Sequence, residues 1–489
     1  MRLSASDASF LYAETASGPM HISSIYVLDG EISHAELMKH MADRMHLIPA
    51  YRRKISFVPF NMGHPIWVDD EHFELSNHII DHDLGEGRTL EEGIDYAVAL
   101  NEPMLDRSRP LWMMHLIHGI PGKTLLLQET HHCLIDGASG IELTTIVYDL
   151  TPDAAPPEPP EQPWVPEPPP NPATLFSDSL RENVQSLSLP DVNDVLDPKV
   201  RETQQKLMAR AMEIGGKFVT QPAITANFNA SVVGPKRRAR YLKKSFADIR
   251  TIRRKLGGTI NDVVLSVISE GMARYLSGRN ESVSGQRMRI MCPVNVRTEE
   301  QQGALGNQVS AIFPMLPAWP LAAHERLSSV VSEMDRIKSA HEAQAMTLVT
   351  EASAGVWPLA MAPTQLVGTP FDPSQLTASI DWPVAPNLGW RPPNPGINFV
   401  CTNVPGVQVP QYLCGREVTD TIGLLILTGN IGFSLTILSY NKQLFFNFIC
   451  EPRLMPDLEA LVAHVDDAFG ELLELAIQQQ ESEKEKEHS

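Results

Sequence analysis

His131-His132-Cys133-Leu134-Ile135-Asp136-Gly137, the string HHCLIDG, decides how this chain is read. Its second histidine and its aspartate stand at HxxxD spacing, and a glycine closes the turn. The residues before it, Lys123 to Thr130, read as an apolar strand, and Ser139 to Leu150 read as a helix. A histidine held at a strand-to-helix turn can present one ring nitrogen, and its unperturbed pKa lies near neutrality. It can therefore take and return a proton, as a general base must. Adjacent histidines in extended chain point to opposite faces, so only one of His131 and His132 can face a given cavity. The plain alternative is that both are packed core histidines. A zinc site is disfavoured, because adjacent histidines rarely converge on one metal and no HExxH accompanies them. Cys133 is disfavoured as a nucleophile, since only the histidines beside it could stabilise a thiolate.

Working outward, Leu111 to His118 and Lys123 to Thr130 are apolar runs separated by Gly119 to Gly122, which predicts a hairpin. Thr89 and Glu92 form a capping-box pattern opening a helix through Ala99. Phe246 to Leu256 reads as a helix, and Asn261 as the cap of another over Asp262 to Leu276. Met288 to Pro293 and Leu444 to Ile449 read as strands.

The chain has 489 residues, more than one core usually holds, so two domains are expected. Hydrophobic residues make up 43% and charged residues 20%, an ordinary globular balance. A formal net charge of −19 argues against general nucleic-acid binding. The five cysteines are scattered without CxxC pairs, which suggests neither a disulfide framework nor a zinc knuckle and fits a reducing compartment. The N-terminus, with Asp7 and Glu14, lacks an apolar core of signal-peptide length. The longest apolar run, Ile422 to Leu438, is broken by Gly, Thr and Asn, so no spanning helix is expected and membrane contact would be peripheral.

Thr151 to Pro172 contains eleven prolines and reads as an extended spacer. It divides the chain into a first unit over 1–150, a spacer and helical arm over 151–225 that includes Val200 to Met212, a second unit over 226–475, and a charged tail over 476–489 expected to fray.

Asn261 has two readings: a helix cap, for which Asn is well suited, or a side-chain amide donating to a developing oxyanion. Thr402 and Asn403 are rival donors. Lys236, Arg237, Arg238, Arg240, Lys243 and Lys244 form the one basic cluster of an acidic chain. Such a run is usually a solvated face; it could also hold phosphates. Trp357, Trp382 and Trp390, among prolines, could form an apolar surface or simply pack a long loop.

HHxxxDG resembles the signature of the CoA-dependent acyltransferases of the chloramphenicol-acetyltransferase fold. Further stretches accompany it in order: LSASDASFLYAETASGPMHI (Leu3 to Ile22), LDRSRPLW (Leu105 to Trp112), NDVVL (Asn261 to Leu265), PVNVR (Pro293 to Arg297), GNQ (Gly306 to Gln308) and TNVPG (Thr402 to Gly406). Together, from about residue 3 to about 450, the chain resembles the bacterial wax ester synthase/acyl-CoA:diacylglycerol acyltransferase family. Val356 to Trp390 matches no family pattern.

The resemblance implies an α/β fold of two chloramphenicol-acetyltransferase-like domains, each a mixed β-sheet with flanking helices, and an active-site tunnel between them. It implies an O-acyltransferase moving a fatty acyl group from acyl-CoA to a long-chain alcohol or diacylglycerol, without an acyl-enzyme. His132 is the implied base. Asp136 could orient its ring, as in a catalytic triad; the superfamily resemblance instead pairs it with an arginine, here Arg297, to brace the loop. Gly137 would permit a tight backbone, and the basic cluster is the candidate for the CoA phosphates. No cofactor is implied, since acyl-CoA is a substrate. The implied location is cytoplasmic, with peripheral contact to the inner membrane face or a lipid droplet left open. Two other functions remain: acyl transfer to an amine or carrier-bound acceptor on the same fold, and lipid binding without catalysis.

Overall fold

The hairpin read from residues 111–130 lies inside the first of two mixed β-sheets. The structure, a computed structural model, describes residues 1–59, 62–134, 139–186, 220–229, 233–295, 309–340 and 396–487, with isolated positions between 205 and 218 and at 342. In chain order the strands are β1 (His21–Asp29), β2 (Arg53–Ser56), β3 (Ile66–Asp69), β4 (Ile79–Asp83), β5 (Trp112–Ile120), β6 (Lys123–His131), β7 (Arg238–Ser245) and β8 (Arg287–Asn295). They continue with β9 (Val309–Ile312), β10 (Met315–Pro317), β11 (Phe399–Pro405), β12 (Tyr412–Leu413), β13 (Arg416–Leu424), β14 (Phe433–Tyr440) and β15 (Gln443–Cys450). The helices are α1 (Ala5–Ala13), α2 (His34–Arg44), α3 (Leu90–Leu100), α4 (Ser139–Val147), α5 (Pro172–Ser186), α6 (Phe246–Leu256), α7 (Ile260–Gly278), α8 (Ala323–Ser339) and α9 (Leu458–Glu487).

The first sheet has the order β12-β13-β1-β6-β5-β4 and the second β10-β8-β11-β14-β15-β7, with β9 on β8. The hairpin turn is tighter than its four separating residues suggest. Ile120 pairs with Lys123, leaving Pro121 and Gly122 to turn the chain, with Gly122 at φ +68°. The capping box at Thr89 and Glu92 forms as read.

The two halves of the chain share strands. β12 and β13, from residues 412–424, leave the second half and complete the first sheet, β13 pairing along β1. The apolar run from Ile422, weighed above only against a spanning helix, is the end of β13 and all of β14 but its last two residues. None of the described helices is long and apolar enough to cross a membrane. The cores follow the same sharing. The largest lies between the second sheet and α6–α9 and draws only on residues from Ile224 onward. The two cores of the first sheet include Tyr440 and Phe445 on one side and Ala239 and Ile449 on the other.

The spacer forms neither helix nor strand over 153–171, as its prolines require, but it is not detached. Trp164 lies under the guanidinium of Arg52 at 4.6 Å and edge-on to Phe73. The charged tail expected to fray continues α9 to Glu487, where Glu483 pairs with Lys255 at 2.6 Å. Most of Val200 to Met212, and all of Val356 to Trp390 with its three tryptophans, lie outside the described residues.

Candidate active site

The ladder between β1 and β6 fixes the two histidines. His131 pairs with His21, and the His132 N–H extends the ladder to the Met20 carbonyl at 2.9 Å. Alternation then sends the two rings to opposite sides. His131 is fully buried. Its Nδ1 accepts the Cys133 backbone N–H at 3.1 Å and lies 2.9 Å from Cys133 Sγ. With Nδ1 an acceptor, the neutral ring carries its proton on Nε2, which faces Glu14 Oε1 at 3.4 Å. Burial holds the His131 pKa below its ordinary value, against the opposing pull of Glu14. Although burial alone would raise it, the Glu14 pKa is drawn down to about 2 by His131, the Met20 N–H and Arg107. Arg107 reaches both Glu14 Oε2, at 2.8 Å, and the Leu11 carbonyl. Burial pushes the Cys133 thiol well above its ordinary range, so it is no thiolate.

His132 occupies the other side. It is half-buried and its ring stacks on Phe10, with centroids 3.9 Å apart and planes 11° from parallel. Met20 ties the sides together: its N–H donates to Glu14 at 2.9 Å, while its carbonyl accepts from His132. One carboxylate thus braces the backbone on both sides of the His132 ring, through Met20 and through His131 to Cys133. Glu14, Arg107 and Phe10 were not singled out from the sequence. They lie within Leu3 to Ile22 and Leu105 to Trp112, and a lone glutamate in a stretch of small and apolar residues was the available signal.

The second sheet brings two of the amides together. Asn403 at the end of β11 donates through Nδ2 to Asn261 Oδ1 at 2.5 Å, so the Asn261 N–H groups are turned to other acceptors. Asn261 is not the cap of its helix. Thr259 caps α7 in a capping box with Asp262, and Asn261 is exposed in the first turn. The capping reading therefore fails, because a better-placed threonine lies two residues earlier. Thr402 projects to the opposite face of β11 from Asn403, beside Thr436 of β14. Asp136, Gly137 and Arg297 lie outside the described residues.

The basic cluster is engaged within the chain. Lys236 pairs with Glu102 at 2.8 Å, and Arg240 with Glu91, Asp95 and Glu459. Arg237 is buried and donates to the carbonyls of Ser17, Gly234 and Leu427. Arg238 donates to the Pro456 carbonyl, Lys243 pairs with Asp420, and Lys244 with Asp466. These charges clamp β7 to α3, β13 and α9, and each has a partner within the chain. Their site is a seam between the halves.

Residues 3–264 match the wax ester synthase/diacylglycerol acyltransferase catalytic domain, and residues 305–473 match the C-terminal domain of the same family. Two probable diacylglycerol O-acyltransferases of Mycobacterium tuberculosis are similar over nearly the whole chain. One is 25% identical over 486 residues, covering 96% of this chain and 95% of that protein. The other is 23% identical over 480 residues, covering 95% and 97%. Among solved structures, the wax ester synthase/diacylglycerol acyltransferase from Marinobacter aquaeolei VT8 superposes with a TM-score of 0.64 at 21% identity, over 97% of this chain and all of that one. The first condensation domain of the CDA synthetase gives 0.54 at 12% identity, over 97% and 96%. These likenesses bear out two domains of mixed sheet with flanking helices, the fold read from the sequence.

Proposed function

This chain belongs to the wax ester synthase/diacylglycerol acyltransferase family, and from that premise we propose that it moves a fatty acyl group from acyl-CoA to the hydroxyl of a long-chain alcohol or a diacylglycerol, with His132 as general base. His132 takes the hydroxyl proton as the acceptor oxygen attacks the thioester carbonyl. The tetrahedral intermediate collapses to the ester, and the departing CoA sulfur receives that proton from His132. Such assistance contributes roughly 10²–10⁴ in rate. No acyl-enzyme forms, in keeping with the protonated Cys133 thiol. Asn261, its oxygen already engaged by Asn403, offers its N–H groups to the oxyanion, with the Thr402 hydroxyl as the alternative donor. Acyl-CoA is a substrate, and the reaction needs no resident cofactor. The acyl chain lies between the sheets, where water that would hydrolyse the thioester is excluded. Since its acceptors are lipids, the enzyme works at the periphery of a membrane or lipid droplet.

The observation that carries this reading is the clamped His132: half-buried, stacked on Phe10 and braced through Met20. His131, sealed in the core against Glu14, serves position and not proton transfer. The test is CoA release from palmitoyl-CoA, with and without hexadecanol or dioleoylglycerol. Release that depends on either acceptor, with ester as product, is expected. Release with an amine acceptor alone, or with none, contradicts the reading.

A further inference from the structure

β14 divides its side chains between two environments. Phe433, Leu435 and Ile437 enter the core of the second sheet, so alternation turns Ser434, Thr436 and Leu438 toward the first sheet. Contact there is close: a Cβ on Gly423 of β13 would lie 3.1 Å from side-chain carbons of both Thr436 and Leu438. Register sets Thr436 between Thr402 of β11 and Asn447 of β15. Ser434 Oγ, Thr436 Oγ1 and Asn447 Oδ1 are buried and have no hydrogen-bond partner among the described residues. Ser434 is 0%, Asn447 1% and Thr436 6% exposed. Asn447 spends its Nδ2 on the Phe445 carbonyl at 3.4 Å, which leaves the oxygen.

Buried polar atoms are nearly always paired, and an unpaired one carries its full desolvation cost. Three on one patch of one sheet call for a polar ligand. The patch opens at half-buried Thr402 and runs inward from there. Across from Thr436 the facing wall is the His132 side of the first sheet, while Ser434 lies one pair further along β14, beside Ile449. Gly423 pairs with Ser24 and Ser24 with Gln128, and the same face of β6 continues through Thr130 to His132.

Resting on the acyl-transfer reading, we propose that Ser434 and Thr436, flanked by Asn447 and entered past Thr402, form a subsite for the ester oxygens of a glyceride acceptor. A long-chain alcohol has one polar group, and His132 uses it. A diacylglycerol offering its hydroxyl there carries two ester carbonyls besides, which can only accept, and the Ser434 and Thr436 hydroxyls can donate. The Thr436 side chain lies under the Gly423 contact, so glyceride entry parts β13 from β14 there.

Initial rates of the full chain with palmitoyl-CoA are compared for hexadecanol and dioleoylglycerol. Thr436→Val keeps the shape and removes the hydroxyl; Ser434→Ala with Thr436→Val removes both. The double variant is expected to lose about tenfold in kcat/KM for dioleoylglycerol, the scale of one or two neutral hydrogen bonds. Hexadecanol stays within about twofold, KM for palmitoyl-CoA is unchanged and the melting temperature does not fall. Equal losses with both acceptors, no loss with either, or a wild type that uses hexadecanol alone overturns the subsite while leaving acyl transfer intact. A wild type that releases CoA with neither acceptor overturns both.

Discussion

The second sheet is built around a core drawn from its own stretch of chain, whereas the first borrows its edge. The core under β8, β11, β14 and β15 draws on residues from Ile224 to Ala476. The first sheet takes β12 and β13 from residues 412–424, and its cores take Tyr440, Phe445, Ala239 and Ile449. The proposed base therefore stands on the sheet that cannot be completed without the other half. Shared strands, and not only the proline-rich spacer, join the halves and hold the sheet that carries His132 against the second.

That contrast can be broken most directly by separation. A fragment of residues 1–170 lacks β13, leaving β1 an unpaired edge with exposed core. It is expected to show no cooperative thermal transition and no acyl transfer. Cutting the intact chain between Pro156 and Pro170 should be tolerated, because that segment adds no sheet pairing. A folded, active fragment would dissolve the contrast.

The second sheet's share in the chemistry is read from Asn261→Ala. If its amide serves the oxyanion, kcat falls about 10²–10³-fold. Asn403→Ala, which acts through Asn261, costs less, and the double variant is no worse than Asn261→Ala. Independent, additive losses would separate the pair.

Within the first sheet, Glu14→Gln keeps the shape but faces Arg107 with a neutral group. A drop in kcat of about tenfold with KM for palmitoyl-CoA unchanged is expected of a positioning residue. Stability supplies a second readout. The Glu14 pKa falls from 4.5 to about 2 on folding, so the carboxylate adds stability above pH 4.5 that is lost as pH falls toward 2, about 3 kcal/mol in all. His131, also lowered by burial, acts in the same direction as pH drops below its ordinary 6.5. Acid melts of Glu14→Gln should be flatter between pH 4.5 and 2 than those of wild type; identical slopes would remove Glu14 from the brace. The smallest effect belongs to Cys133→Ala, which keeps the backbone N–H that holds His131 and should retain activity within about threefold. A folded but inactive variant, or an acyl thioester seen by mass spectrometry, would restore the thiol to the reaction.

Local pattern made the first sheet's hairpin, the Thr89 cap and helices α6 and α7 legible, because turn residues and apolar spacing act within a few positions. What was missed depends on distant chain. The partners of the basic run, from Glu91 to Asp466, are scattered through the sequence and could not be read from it. β13 could not be assigned to the first sheet, since nothing in its alternation names β1 as neighbour. The HxxxD string brought His132 to notice, while its brace needed Glu14, 118 positions earlier, which only the folded ladder brings beside His131.

The central claim is that His132 moves the proton. Acceptor-dependent CoA release by His132→Ala, with its melting curve recorded alongside, tests it most directly. The account predicts turnover reduced at least 10²-fold in a protein that melts like wild type. Retention of more than about a tenth of wild-type turnover by the folded variant would contradict it.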